Sequence, residues 1–223
     1  MGVKERQERE REAVGRAILD AARDLFVAEG YHNVSIRKIA ERIEYSPAAI
    51  YSYFPSKDDI FFALAEEGFR LLFRPDSVSI DEGDPIEKIR FAMWRVYEFS
   101  KTHPEHFALM FLDRTVPQLS QNWERFEFVR QGKAKLGQVL KRATDQGLFP
   151  PGTNPQAVFR ILVSAIVGAS VARLCGRMAP EEDSDGLARD TLEAALTGLR
   201  AGFPATFKPT PHPIGCPGSS LEE

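Results

Sequence analysis

The 223-residue chain contains only two cysteines, Cys175 and Cys216. Two thiols make neither a disulfide framework nor a repeated metal-ligand pattern, so a reducing cytoplasm is the expected setting. Basic charge is also in short supply. The 29 Lys+Arg stand against 32 Asp+Glu, and a net charge of −3 excludes a uniformly basic nucleic-acid coat. The longest uncharged apolar run, 161–172, falls short of the roughly 20 residues of a membrane span. The opening MGVKERQERERE lacks the apolar centre of a secretory signal, so no membrane partner is expected. Neither a G-x-G-x-x-G nor a Walker A run nor H-E-x-x-H occurs, which argues against an enzyme and against a cofactor. His103-Pro104-Glu105-His106 offers a ligand pair without a third partner, so no metal is expected. No run alternates at period two, and no repeat has solenoid spacing.

What the chain does have is apolar bulk at helical spacing. Hydrophobic residues make up 43% and charged residues 27%, and the 16 Phe need a sizeable core. Ile18, Ala22, Leu25 and Phe26 share one face of a first helix that should end at Glu29, before Gly30. Ser35 can cap a second helix carrying Ile36, Ile39, Ala40 and Ile43, and Ser46-Pro47 opens a short third one closing near Pro55. A fourth starts after Ser56, with Asp58 and Asp59 in its first turn. The acidic segment 74–85 reads as a joint. Helices are predicted at 86–102, 104–112, 118–147, 155–176 and 187–203, before a tail with five prolines. The expected architecture is all-α. A charged arm (1–15) leads into a three-helix helix-turn-helix DNA-binding domain (16–73). A helical ligand-binding and dimerisation domain (74–203) and a Pro-rich tail (204–223) follow.

Two short helices joined by a tight turn form a candidate helix-turn-helix, whose second helix can enter the DNA major groove. The wording is specific. Ser35-Ile36-Arg37-Lys38-Ile39-Ala40, then Ser46-Pro47-Ala48-Ala49-Ile50-Tyr51-Ser52-Tyr53-Phe54, then Ser56-Lys57-Asp58-Asp59-Ile60, resembles the N-terminal domain of the TetR family of bacterial transcriptional regulators. The resemblance covers about residues 16–72. It implies a homodimer reading a palindromic operator in double-stranded DNA, released as a repressor when a small molecule binds the C-terminal domain.

Carried over position by position, the resemblance makes Ser35, Ser46, Tyr51, Tyr53 and Lys57 phosphate-contact candidates. Four of them have a plain structural alternative: helix caps for the two serines, packing for Tyr51, a solvated charge for Lys57. Pro47, Ala48, Ala49 and Ser52 offer few polar groups to the bases, so Arg37 is the best candidate for a bidentate guanine contact, with a surface charge as its alternative. Arg6, Arg9 and Arg11 in the arm either read DNA shape or are solvated. The family has Ala-Gly-Val-Ser at the bend where this chain has Ile43-Glu44-Tyr45-Ser46. A positive φ at Glu44 would cost roughly 1 kcal/mol relative to glycine. Residues 31–57 carry a local excess of two positive charges despite the acidic total.

In the C-terminal region, Met93, Trp94, Tyr97, Phe107, Met110, Phe111, Trp123 and Phe126 are the candidate lining of a pocket for a hydrophobic, acyl-like or aromatic effector, with ordinary core as the alternative. Val163, Val167, Gly168 and Val171, with Leu192, Leu196 and Leu199, are the candidate dimer interface. A helical homodimeric interaction or small-molecule-binding protein without operator binding is the rival reading.

Overall fold

The computed structural model describes residues 2–73, 83–117, 126–202 and 206–207. Among them are nine α-helices and no strand: α1 (Val3–Glu29), α2 (Ile36–Arg42), α3 (Pro47–Tyr51), α4 (Lys57–Leu72), α5 (Pro85–Thr102), α6 (Pro104–Phe111), α7 (Glu127–Asp145), α8 (Pro155–Leu174) and α9 (Ser184–Ala201). Most of the expected joint, the segment 118–125 with Trp123, nearly all of the tail, and Cys216 lie outside the described residues.

Helix α1 is longer than expected. The segment 1–15 reads as an arm, yet the helix begins at Val3. Its glutamates and arginines are good helix formers, and they pair one turn apart, as in Arg6–Glu10 at 2.9 Å and Arg16–Asp20 at 2.5 Å. The helix stops at Glu29 because Gly30 takes a φ of 81° and donates its N–H to the Phe26 carbonyl at 2.9 Å.

Two compact units emerge from the packing. The first comprises residues 1–69 and 103–122, so α6 joins α1–α4, whereas the sequence reading draws a single boundary at 74. Its core is built from Ile18, Ala22 and Phe26 of α1, Ile39 and Ala40 of α2, Ile50 of α3, and Ile60, Phe61 and Leu64 of α4, all buried. Helix α6 packs on α1 and buries His106, Phe107 and Leu109.

The second unit comprises 70–102 and 123–223. Helix α8 packs against α5, α7 and α9. Ile89, Met93 and Tyr97 of α5, Leu140 of α7, Leu162 and Ile166 of α8, and Leu192, Leu196 and Leu199 of α9 are buried. Polar ties fix the helix register: Arg90 to Glu193 at 2.5 and 3.0 Å, and Tyr97 Oη donating to Asp185 Oδ1 at 2.9 Å. Helix α9 starts three residues earlier than expected because the Asp183 carboxylate accepts from the Asp185 amide at 3.1 Å.

Helix α8 also departs from expectation. At 20 residues it is long and apolar enough, by composition alone, to cross a membrane, since Ala157, Val158, Phe159 and Leu174 add apolar positions beyond Arg160 and Arg173, which bound the uncharged run. Only 28% of its most apolar stretch is buried within the subunit.

Candidate nucleic-acid interface

The turn between α2 and α3 is closed by backbone bonds. The Glu44 N–H reaches the Glu41 carbonyl at 3.3 Å and the Tyr45 N–H reaches Ala40 at 2.9 Å. This is the Schellman pattern, which needs a left-handed residue at the position of Glu44. Glu44 has a φ of 60°, the only positive value at a non-glycine among the described residues. The departure from glycine expected to be strained therefore keeps the conformation that glycine would have taken.

Ser35 and Ser46 both cap. Ser35 Oγ accepts from the Lys38 amide and Ser46 Oγ from the Ala49 amide, each at 3.2 Å. Each hydroxyl retains its own proton for a phosphate oxygen. Ile50 is the anchor of α3, fully buried, while Tyr51 is 54% exposed. Pro47, Ala48 and Ser52 share the open side, and Ala49 is half-buried. The Ser52 hydroxyl donates to the Ala49 carbonyl at 2.7 Å.

Arg37 points into solvent, its side chain 81% exposed, with Nε donating to Glu41 at 2.9 Å. A guanine contact would have to draw it from that partner. Lys57 has a role that the sequence reading missed. Its Nζ donates to the carbonyls of Tyr31 at 2.8 Å and Val34 at 3.0 Å and lies 4.1 Å from the centre of the Tyr31 ring. Burial lowers its pKa, partly opposed by Asp58. An ammonium has three donors, so one remains for a phosphate while two staple the start of α4 to the loop before α2. The Tyr31 hydroxyl donates to Asp58, and burial followed by that carboxylate raises the phenol's pKa.

The helical extension of α1 runs beside this motif. The Arg11 guanidinium lies 5.2 Å from the centre of the half-buried Tyr53 ring and donates to the Ser52 carbonyl at 3.4 Å. Lys4, Gln7, Arg11, Val14, Tyr45 and Tyr53 line a surface groove of about 880 Å³. Tyr45 is 46% exposed and was not among the candidates. A tyrosine directly before the α3 cap, where the resembled family has valine, was the available signal.

The candidate effector residues fall in both units. Phe107, Met110 and Phe111 sit on α6 in the first unit, the two phenylalanine rings stacked with centres 4.7 Å apart. Met93, Trp94, Tyr97 and Phe126 belong to the second unit, with the Trp94 and Tyr97 rings 5.0 Å apart. In the same unit burial, reinforced by Arg160, lowers Lys133 to about 7. The candidate dimer residues divide as well. Val163, Val167 and Val171 are half-buried and Gly168 is exposed. Leu192, Leu196 and Leu199 are 2%, 1% and 6% exposed, so they belong to the subunit's own core rather than to an open dimer face. Their spacing marks the apolar face of α9, and that face turns inward.

Residues 18–64 match the family described as bacterial regulatory proteins, tetR family. The chain is 32% identical to the nucleoid occlusion factor SlmA of Vibrio campbellii over 149 residues, covering 63% of this chain and 70% of that protein. It is 44% identical over 52 residues to the HTH-type transcriptional repressor Rv1474c of Mycobacterium tuberculosis, 23% of this chain and 28% of the repressor. A solved structure of AibR in complex with isovaleryl coenzyme A and operator DNA aligns with a TM-score of 0.59 at 19% identity, over 81% of this chain and 96% of that one, which shows the shared fold. The capped α2–turn–α3 geometry and these matches agree: the chain belongs to the TetR family and is an all-helical, DNA-binding transcriptional regulator.

Proposed function

We propose that the protein is a cytoplasmic, homodimeric repressor whose paired α3 helices read a palindromic operator and which leaves DNA when a hydrophobic small molecule binds its second unit. The observation that carries the reading is the open face of α3, held by two serine caps and the Lys57 staple, with Tyr51 free at its end. Ser35, Ser46, Tyr51, Tyr53 and Lys57 contact phosphates, and Arg37 reads a base after releasing Glu41. The match to the repressor Rv1474c supports the direction of regulation.

Dimerisation has its own support. The open face of α8, with Val163, Val167, Gly168 and Val171, is an apolar surface that a second copy would cover. A Cβ added at Gly168 or Gly198 would meet nothing within 4 Å, leaving room for a helix to approach. Ala194 and Gly198 supply the α9 contribution in place of the buried leucines. The buried Met93 and Tyr97, with Trp94 and Phe126, give the second unit an apolar region for an effector. The acyl thioester in the AibR complex supports that chemical class.

Selection of bound fragments from genomic DNA tests the reading. A few inverted repeats near promoters, released by apolar compounds, are the expected result, and no enrichment over bulk DNA would sink it. Arg37→Ala should relax preference at one base pair per half-site, whereas equal losses for all operator variants would remove the base-reading role. The similarity to SlmA favours a second reading, nucleoid occlusion. Many sites spread along the chromosome, with no effector release, would select it.

A further inference from the structure

Among the described residues, three buried side-chain nitrogens have no hydrogen-bond partner: Lys88 Nζ, His106 Nε2 and Arg173 Nε. His106 is the most enclosed of these residues, 5% exposed, on α6 of the first unit. Such orphans are rare in folded proteins and call for an explanation. Glu67 Oε1 lies 3.7 Å from Nε2, beyond hydrogen-bond length. The other Glu67 oxygen already accepts from Arg16 Nη1 at 2.8 Å, and Arg16 is gripped by Asp20 at 2.5 and 3.0 Å. The charged and titratable groups acting on the imidazole are Arg16 and Arg23 from α1, Glu67 from α4, and His103 just ahead of α6, its ring edge-on at 6.2 Å. Its surroundings are tight. A Cβ at Gly68 of α4 would collide with the Met110 sulfur and come within 3.5 Å of His106 Cβ and Cδ2.

We propose that His106 is a proton-operated latch, which lets α6 pack on α1 and α4 while neutral and drives it off them when protonated. This goes beyond control by an effector. Glu67 favours the charged imidazole but shares its charge with Arg16, while Arg16, Arg23 and His103 repel the new charge. Burial is the leading cause that pushes the pKa of His106 below the usual imidazole value. An exposed imidazole takes its proton near 6.5. The packed arrangement is therefore fully favoured above that pH and loses ground as the pH falls below it, until the lower value of the packed state is reached. The path to the DNA-reading face is short. Asp113, just past α6, accepts from the Tyr31 amide at 3.4 Å, and the Tyr31 carbonyl is one of the two that hold Lys57.

The test uses the free full-length protein, so it stands whether or not an operator is found. Hydrogen-exchange protection of the α6 amides is measured at pH 7.5 and 5.5 in wild type, His106→Gln and His106→Leu. The wild type should lose protection between the two pH values, while the variants change much less. An equal pH dependence in all three overturns the proposal. Should both variants fail to fold, the NMR titration of the wild-type imidazoles decides. His106 titrating below the usual imidazole value is expected, and an ordinary imidazole value overturns the latch.

Discussion

Lys57 in the first unit and Lys133 in the second are both lysines whose pKa is lowered by burial, and a charged neighbour acts on each in the opposite sense. Lys57 has two carbonyl acceptors, an aromatic face and Asp58 beside it. Lys133 is brought to about 7, with Arg160 adding repulsion. The first unit uses local polar bonds to place helices of five and seven residues. The second relies on apolar contact along helices of 18 to 20 residues and leaves one helix face uncovered. Short helices are marginal alone, so their caps and staples decide geometry. Long helices tolerate a costly charge because so much else holds them.

The comparison can be broken most directly by equal truncations. Ile50→Ala and Leu196→Ala each remove a buried side chain and should each cost roughly 2–5 kcal/mol. Ile50→Ala should abolish DNA binding and leave the oligomeric state intact by light scattering. Leu196→Ala should lower the melting temperature of the second unit. Identical losses of both properties in the two variants would mean that the units do not behave separately.

Lys133→Met comes next and should be stabilising. The unfolded lysine takes its proton near 10.4 and the folded one near 7, so stability declines as pH falls through that window and is flat below it. Removing the amine should raise stability more at pH 7 than at pH 10 and so flatten its pH dependence, read by denaturant melts at the two pH values. A smaller effect is expected from Lys57→Ala. It should cost about 1–2 kcal/mol of stability through its two lost acceptor contacts and weaken binding to all DNA sequences alike. An unchanged melting temperature with a salt slope reduced by about one would reassign Lys57 to phosphate alone. Glu44→Gly, the smallest change, should stabilise by up to about 1 kcal/mol and tighten DNA binding by removing a carboxylate. A loss of stability there would show that the left-handed φ of 60° carries no strain.

The helix-turn-helix was legible because its signals are local: Ser35, Ser46-Pro47 and Gly30 act within four residues of where they stand. The second life of Lys57 was not, since its partners, Tyr31 and Val34, lie 26 and 23 residues back. Nor could periodicity tell an inward apolar face from an outward one. Leu192, Leu196 and Leu199 have the spacing that either role requires, and only the packed neighbours α5 and α8 settle it. The charged start of the chain misled for a related reason. An even mixture of Glu and Arg reads as a solvated arm until the pairing one turn apart is counted.

That extended first helix has a practical side. Arg11 touches the end of α3, and the eight residues from Val3 to that contact span about 12 Å of helix. An affinity tag or fluorescent fusion placed ahead of Gly2 would thus stand within a nanometre or so of the DNA-reading face, where it would compete for the same space as the double helix.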